Sequence, residues 1–261
     1  MQLRILGCSG GISPGQGTTA FLVDKTVLLD AGTGVETLTY EEMLQIETVI
    51  LTHSHLDHIS HLPFLLNNLI SGAHKTIQVY ALNHTVDALK THIFNDVIWP
   101  DFTTLPSHER PCVHLNVVKY GDVLSLGDKQ VVVLPVHHSV PTAGYWIGND
   151  EASFAFSGDC SENDVLWEAL NNLPSVEMLI MDNQYSKVDK TISELAKHYY
   201  PEALKSDLEK LNYRPPVFIS HLPVNNRVMV LEEVQATLSG WEVEVLEANR
   251  VYNVMKAENN C

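Results

Sequence analysis

Cysteine is scarce in this 261-residue chain. Cys8, Cys112, Cys160 and Cys261 stand far apart with no C-x-x-C pair, which excludes a framework of closely spaced disulfides and a thiolate zinc site. Long apolar runs are missing too: a stretch such as VVVLPV, residues 131–136, is far too short to cross a bilayer, so no membrane partner is expected. Basic residues are few. Sixteen Lys and Arg against 32 Asp and Glu give a formal net charge of −16, which opposes a grip on long phosphate backbones; no nucleic-acid partner is expected, and a small substrate suits this surface better. Linkers, low-complexity tracts and internal repeats are absent. The opening MQLRILGCSGG passes from alternating apolar residues into a glycine turn without the basic flank and apolar stretch of a secretory leader. Together these absences predict a cytoplasmic protein with one domain over residues 1–261. Its 45% hydrophobic composition is enough for a sizeable core.

What is present is a series of short β-branched or aliphatic runs separated by turn residues: LRILG, AFLVD, TVLLDAGTG, TVILTH, TIQVYA, QVVVLPV, GYWIG, SFAFSGD, MLIMD and PVFISH. Helical periodicity appears in HLPFLLNNLI, in NHTVDALKTHIF after Asn83 as N-cap, in PEALKSDLEKL after Pro201, and in VLEEVQATL. Several strands precede the first strong helix. That order predicts the α/β (α+β) class, with two mixed sheets packed face to face and helices outside. Four of the runs, VILTH, VLPVHH, FAFSGD and VFISH, end an apolar strand on His or Asp. Strand ends converge on a sheet rim, where a rigid scaffold holds side-chain geometry and leaves one side open.

The stretch LTHSHLDHISHLP, residues 51–63, concentrates this chemistry. In an extended segment His53 and His55 face the same way, and Asp57 and His58 follow on the turn into the next helix. A solvated helix-start loop is the bland alternative in a chain with 13 histidines. The downstream strand-end residues His138, Asp159 and His221 favour metal instead, because together the seven complete two coordination spheres of imidazole and carboxylate. Two cations roughly 3.5 to 4 Å apart can clamp both oxygens of a displacement at phosphorus. His61 falls on the first turn of an apolar helix and takes a structural role. His74, His84, His92, His108 and His114 have no spacing argument and read as surface or packing residues. Trp99, Phe102, Tyr145 and Tyr185 are aromatic enough to stack on a base, yet beside apolar strands they read as core.

THSHLDH, SGD and the late ISH resemble the metallo-β-lactamase superfamily, and the likeness extends over nearly the whole chain, including GCSGG after the first strand and Asp30 at the end of LLD. The resemblance implies an αββα sandwich with two divalent metal ions. It places His53, His55 and His138 on one, Asp57, His58 and His221 on the other, and Asp159 between them. The nitrogen-rich set favours zinc, with manganese or iron as alternatives. His137 competes with His138; PVHHSVPTAGY resembles the ribonuclease Z segment with its single histidine at the second place.

Two branches of the superfamily then compete. HSHLDHI, IFNDVIWPDF, LAKHYYPEAL and ISHLP are similar to class II 3′,5′-cyclic-nucleotide phosphodiesterases, although SHLPFLL after Ile59 departs from their signature. HLPFLL and HHSVPTAGY are similar to ribonuclease Z. That enzyme carries a basic arm for transfer RNA, whereas here only residues 139–158 separate His138 from Asp159, and MDNQYS lacks a histidine found in its later loop. The phosphodiesterase resemblance implies hydrolysis of cyclic AMP or cyclic GMP to the 5′-monophosphate through a metal-bridging hydroxide. Asp57 is expected as a ligand that orients the hydroxide or accepts its proton, and His198, by its match to the family segment, as proton donor or phosphate contact, with a helix-proximal surface histidine as the alternative. A homodimer is compatible with this reading. The alternatives are a transfer-RNA 3′ endonuclease, or another hydrolase of a small phosphodiester, lactone or thioester, since fold alone does not set substrate.

Overall fold

The computed structural model describes residues 1–70 and 75–256; His74 and Cys261 lie outside the described residues. Strands are numbered along the chain: β1 (Gln2–Gly7), β2 (Ala20–Val23), β3 (Val27–Leu29), β4 (Thr48–Ile50), β5 (Ile77–Leu82), β6 (Pro106–Ser107), β7 (Arg110–Pro111), β8 (Val113–Val118), β9 (Val123–Leu126), β10 (Lys129–Pro135), β11 (Ala143–Gly148), β12 (Ser153–Phe156), β13 (Met178–Asp182), β14 (Val217–Ser220), β15 (Val243–Val245) and β16 (Val251–Asn253).

The apolar residues of these strands alternate between two buried layers, as the two-residue repeat of a strand requires. In β2, Phe21 and Val23 enter the layer between the sheets, while Ala20 and Leu22 face the helices outside. In β13, Met178 and Ile180 point inward, and Leu179 and Met181 point to the opposite helical layer. With both faces covered, the strands are apolar almost throughout. The first sheet has the order β16-β1-β2-β3-β4-β5-β8 and the second β15-β14-β13-β12-β11-β10-β9, with β6 and β7 as a separate hairpin. Each sheet is mixed, changing from antiparallel to parallel pairing at its middle strand, β3 or β12. The arrangement is the expected α/β sandwich of two mixed sheets between helices.

The ten runs read from the sequence are the ten inner strands. Those it missed are the four edges, β16, β8, β15 and β9, and the small hairpin. An edge strand buries less: β9 alternates exposed and half-buried residues and lacks a continuous apolar run. Asn83 is the first residue of its helix and not the N-cap, a place taken by Leu82; its amide donates to Asp87 at 2.7 Å. That helix ends in a π turn over Leu89–Ile93. Pro201 occupies the first turn of helix Pro201–Leu208, where its missing N–H costs nothing.

Parallel pairing brings the carboxyl ends of β3, β4 and β5 to one edge of the first sheet and those of β12, β13 and β14 to one edge of the second. Backbone bonds stitch the two edges together: Ala143 donates to Thr52 O (3.0 Å) and His221 to Cys8 O (2.8 Å). The segment carrying His198 is anchored from below by the buried Asp207 carboxylate. It accepts from Tyr199 Oη (2.6 Å), Trp167 Nε1 (2.9 Å) and the Asn163 amide (3.0 Å). Asp207→Ala strands these donors, two of them on buried side chains, at about 1–3 kcal/mol each. Urea denaturation should therefore show a loss of at least about 3 kcal/mol, and a loss near zero would rule out this anchoring.

Candidate metal centre

Each turn at the rim is held by its own local constraint. Asp30 and His221, immediately after β3 and β14, take left-handed backbone at φ +57° and +59°, and Gly158 before Asp159 takes φ +63°. Non-glycine residues in that region carry strain that concentrates at functional sites. The DAG turn after β3 presses on the histidine loop: Ala31 N–H donates to His58 O at 2.7 Å, and a Cβ at Gly32 would collide with the Asp57 carbonyl. Gly10, after β1, similarly leaves room for Gln184 and the His221 ring.

The imidazoles are aimed from behind. His58 Nδ1 donates to Asp30 Oδ2 at 2.7 Å. Thr52 Oγ1 donates to the same oxygen (2.8 Å) and can then only accept from His53 Nδ1 (3.0 Å). His138 Nδ1 donates to Lys197 O at 2.8 Å, and His221 Nδ1 to Gln184 Oε1 at 3.0 Å. With Nδ1 used as donor, the Nε2 lone pair of each ring points forward. These lone pairs meet carboxylates: His58 Nε2 and His221 Nε2 both lie 3.2 Å from Asp159 Oδ2, and His53 Nε2 lies 3.7 Å from it. His221 Nε2 is also 3.1 Å from Asp57 Oδ2, and His138 Nε2 is 3.3 Å from His55 Nδ1. The Nε2 atoms of His53 and His58 are buried without a hydrogen-bond partner. Acceptors facing acceptors in a buried site require a proton or a cation between them.

All seven sequence-derived candidates come together here. His53, His55, His138 and Asp159 bring one donor atom each within 4.8 Å of one another, and Asp57, His58, Asp159 and His221 do the same, with Asp159 common to both. His137 is exposed, its Nδ1 near Glu162 O, while His138 is buried in the cluster. His61 stays outside, against Ser60 and Phe64. Tyr145 and Phe102 are buried in the core, whereas Tyr185 lies 5.9 Å from the His198 ring. His198 packs between His138 and His221 at 4.9 and 5.0 Å, and its Nδ1 donates to Asp182 Oδ2 at 2.8 Å. Asp182, His198 and His221 form a third close group, but Gln184 already takes the His221 Nδ1 that faces Asp182. Asp182 was missed in the sequence although MLIMD ends an apolar strand on Asp like its neighbours; Thr52 and Gln184 carried no such signal.

Without metal, protons do the work of cations. Burial by itself depresses the His58 and His221 imidazoles, but Asp159, with Asp30 beside the first and Asp57 beside the second, holds both protonated above the ordinary range. Burial pushes His138 down to about 4 and His53 well below its usual value. Burial would raise Asp57, yet the His221 hydrogen bond and the nearby His58 bring it down to about 2. A cation entering the site must displace the protons of His58 and His221, so affinity falls as the pH drops below their raised values. Asp30 fixes two of the rings, through His58 directly and His53 through Thr52. Asp30→Ala should weaken zinc binding about 10- to 100-fold in a chelator competition; unaltered affinity would remove Asp30 from this role.

Known proteins resemble this chain in sequence and in fold. Over 220 residues the chain is 29% identical to a probable 3′,5′-cyclic-nucleotide phosphodiesterase of Yersinia pestis, covering 73% of this chain and 62% of that protein. It thus spans about three fifths of that relative's length. The crystal structure of unliganded yeast PDE1 superposes with a TM-score of 0.79 at 19% identity, covering 95% of this chain and 98% of the other. The human short-form tRNase Z gives 0.69 at 16% identity over 97% and 99%, so the fold alone is common to both branches. Residues 25–239 match the family model described as a beta-lactamase superfamily domain, and the chain belongs to that superfamily.

Proposed function

We propose that the chain is a dinuclear metal-dependent phosphodiesterase that hydrolyses 3′,5′-cyclic AMP or cyclic GMP to the 5′-monophosphate. One observation carries the reading: two groups of imidazoles and carboxylates share Asp159, and the buried, unpartnered Nε2 atoms of His53 and His58 lie 3.7 and 3.2 Å from its carboxylate. His53, His55 and His138 would hold one cation, Asp57, His58 and His221 the other, and Asp159 both. The donor set of nitrogens and carboxylate oxygens fits zinc best, with manganese or iron as alternatives. Two such cations supply Lewis acidity at a phosphoryl oxygen and make water a nucleophile near neutral pH.

The chain's own residues handle protons and charge around that chemistry. Asp57, whose carboxylate is partly open to solvent, accepts the proton given up by the attacking water. Burial disfavours a charged His198, but in the metal-free protein Asp182, with Asp159 and Asp57, holds its imidazole up to about 9; Asp182 is the one of the three outside the proposed ligand set. The His198 Nδ1 is fixed on Asp182, so Nε2 is the atom left to donate to the leaving oxygen or to contact phosphate. A small anionic substrate is favoured over transfer RNA by two features. The formal charge is −16, and residues 139–158 are occupied by β11, β12 and their connections, which leaves no projecting basic arm. The curated relative from Yersinia supports the same choice by its name. No described helix is long and apolar enough to cross a membrane, and this reading keeps the enzyme a single cytoplasmic domain.

Metal-replete protein should open cyclic AMP or cyclic GMP to the 5′-monophosphate, with modest salt dependence, and leave precursor transfer RNA uncut. Chromatographic product analysis and a processing gel on one preparation decide this; 3′-end cleavage of the RNA without cyclic-nucleotide turnover would overturn the substrate. A mutant pair separates ligand from bystander. Asp57→Ala should lower kcat by about 10³-fold or more while circular dichroism stays native, since the change removes both a donor atom and a base. His61→Ala should keep kcat within about tenfold. Equal losses, with metal content retained in the His61 variant, would show that His61 takes part in the reaction.

A further inference from the structure

A cleft of about 400 Å³ lies on the side of the histidine loop facing helix Asn83–Ala88 and its π turn, within the size range of small-ligand sites. Ser54, Leu56 and Ile59 form one wall; His84, Asp87, Ala88, Thr91, His92 and Ile93 form the other. Ser54 and Leu56 alternate along the loop with His53, His55 and Asp57, so cleft and metal centre share a wall. They also share a rim, because β4 and β5, which lead into the two walls, are parallel neighbours.

Three features suit this cleft to a ligand. Leu56 is 66% exposed between two residues of the metal centre and offers an apolar face. Residues 84, 87, 88 and 91 recur at helical spacing on one face. The π turn, closed by Phe94 N–H donating to Leu89 O at 2.8 Å, widens the helix so that three successive residues, Thr91, His92 and Ile93, all reach the cleft. The lining also selects chemistry: it contains no Lys or Arg and one carboxylate, so it disfavours a phosphate, while its apolar surfaces beside imidazole, hydroxyl and carboxylate heads suit a flat heteroaromatic ring.

We propose that this cleft is the purine subsite of the enzyme, holding the base between Leu56 and the helix face while the phosphate lies at the metal centre. The assignment rests on the cyclic-nucleotide reading above, and it gives His84 and His92 a role that their spacing in the sequence did not reveal. Asp87, with one oxygen tied to Asn83, presents its carboxylate to ring N–H or amino groups and so discriminates between adenine and guanine.

The test fills the cleft with Ala88→Trp and alters its acceptor with Asp87→Asn, in the metal-replete 261-residue chain. Cyclic AMP, cyclic GMP and ribose 3′,5′-cyclic phosphate, a cyclic phosphodiester without a base, are assayed side by side. Ala88→Trp should lower kcat/KM for the cyclic nucleotides at least tenfold relative to the base-free ester, mainly through KM. Asp87→Asn, an exposed isosteric change that leaves folding intact, should shift the ratio of cyclic AMP to cyclic GMP turnover at least fivefold. Wild-type hydrolysis of cyclic nucleotides with neither ratio altered would overturn the subsite and leave the proposed function standing. Wild-type cleavage of the base-free ester alone would overturn that function, and the subsite with it.

Discussion

The structure turns on a conflict of lone pairs. Hydrogen bonds from Nδ1 lock the rings of His53, His58, His138 and His221, and the Nε2 atoms of His53, His58 and His221 then face the Asp159 carboxylate at 3.2 to 3.7 Å. In a buried site such an arrangement is unfavourable unless positive charge lies between the groups. Protons supply that charge in the metal-free protein, at the cost of keeping His58 and His221 protonated against burial. Divalent cations satisfy more donors at once, and the fixed orientation means that little rearrangement is needed to receive them.

Holding that conflict in place explains much of the architecture. The acceptors that orient the rings come from three different elements: Asp30 after β3, Gln184 beyond β13, and the Lys197 carbonyl in its left-handed turn at φ +62°. Two of these groups are themselves held in place. Asp30 is fully buried and receives two bonds from Thr52, and Lys197 precedes the segment anchored through Tyr199 and Asp207. Two sheets buried on both faces provide the stiffness; the glycines at 10 and 32 let the backbone approach closely enough for the rim to close.

The same fold serves ribonucleases and cyclic-nucleotide enzymes, so what distinguishes substrates must lie around the centre and not in it. Here the surroundings are acidic, the connection from His138 to Asp159 is spent on sheet strands, and a cleft with apolar and polar walls adjoins the histidine loop. On the proposed reading these features suit a compact ligand with one phosphate better than a long polyanion, whose affinity would depend on many basic contacts.

Local information in the sequence determined the ten inner strands, because burial on both faces leaves an apolar run that any window of four to six residues reveals. It also determined the seven candidate ligands, since residue type at a strand end is a local property. Edge strands escaped because they alternate like many loops, and the choice between His137 and His138 stayed open because adjacent residues at the end of a strand are locally equivalent. Tertiary structure buries His138 in the cluster and leaves His137 exposed, which favours the former. It alone decided that Asp182 orients His198, that Gln184 and Thr52 fix ring tautomers, and that His84 and His92 line a cleft. The physical reason is range: His221 and Asp57 are 164 residues apart in the chain and 3.1 Å apart in space, a proximity set by the pairing order and packing of two sheets and by no short stretch of residues.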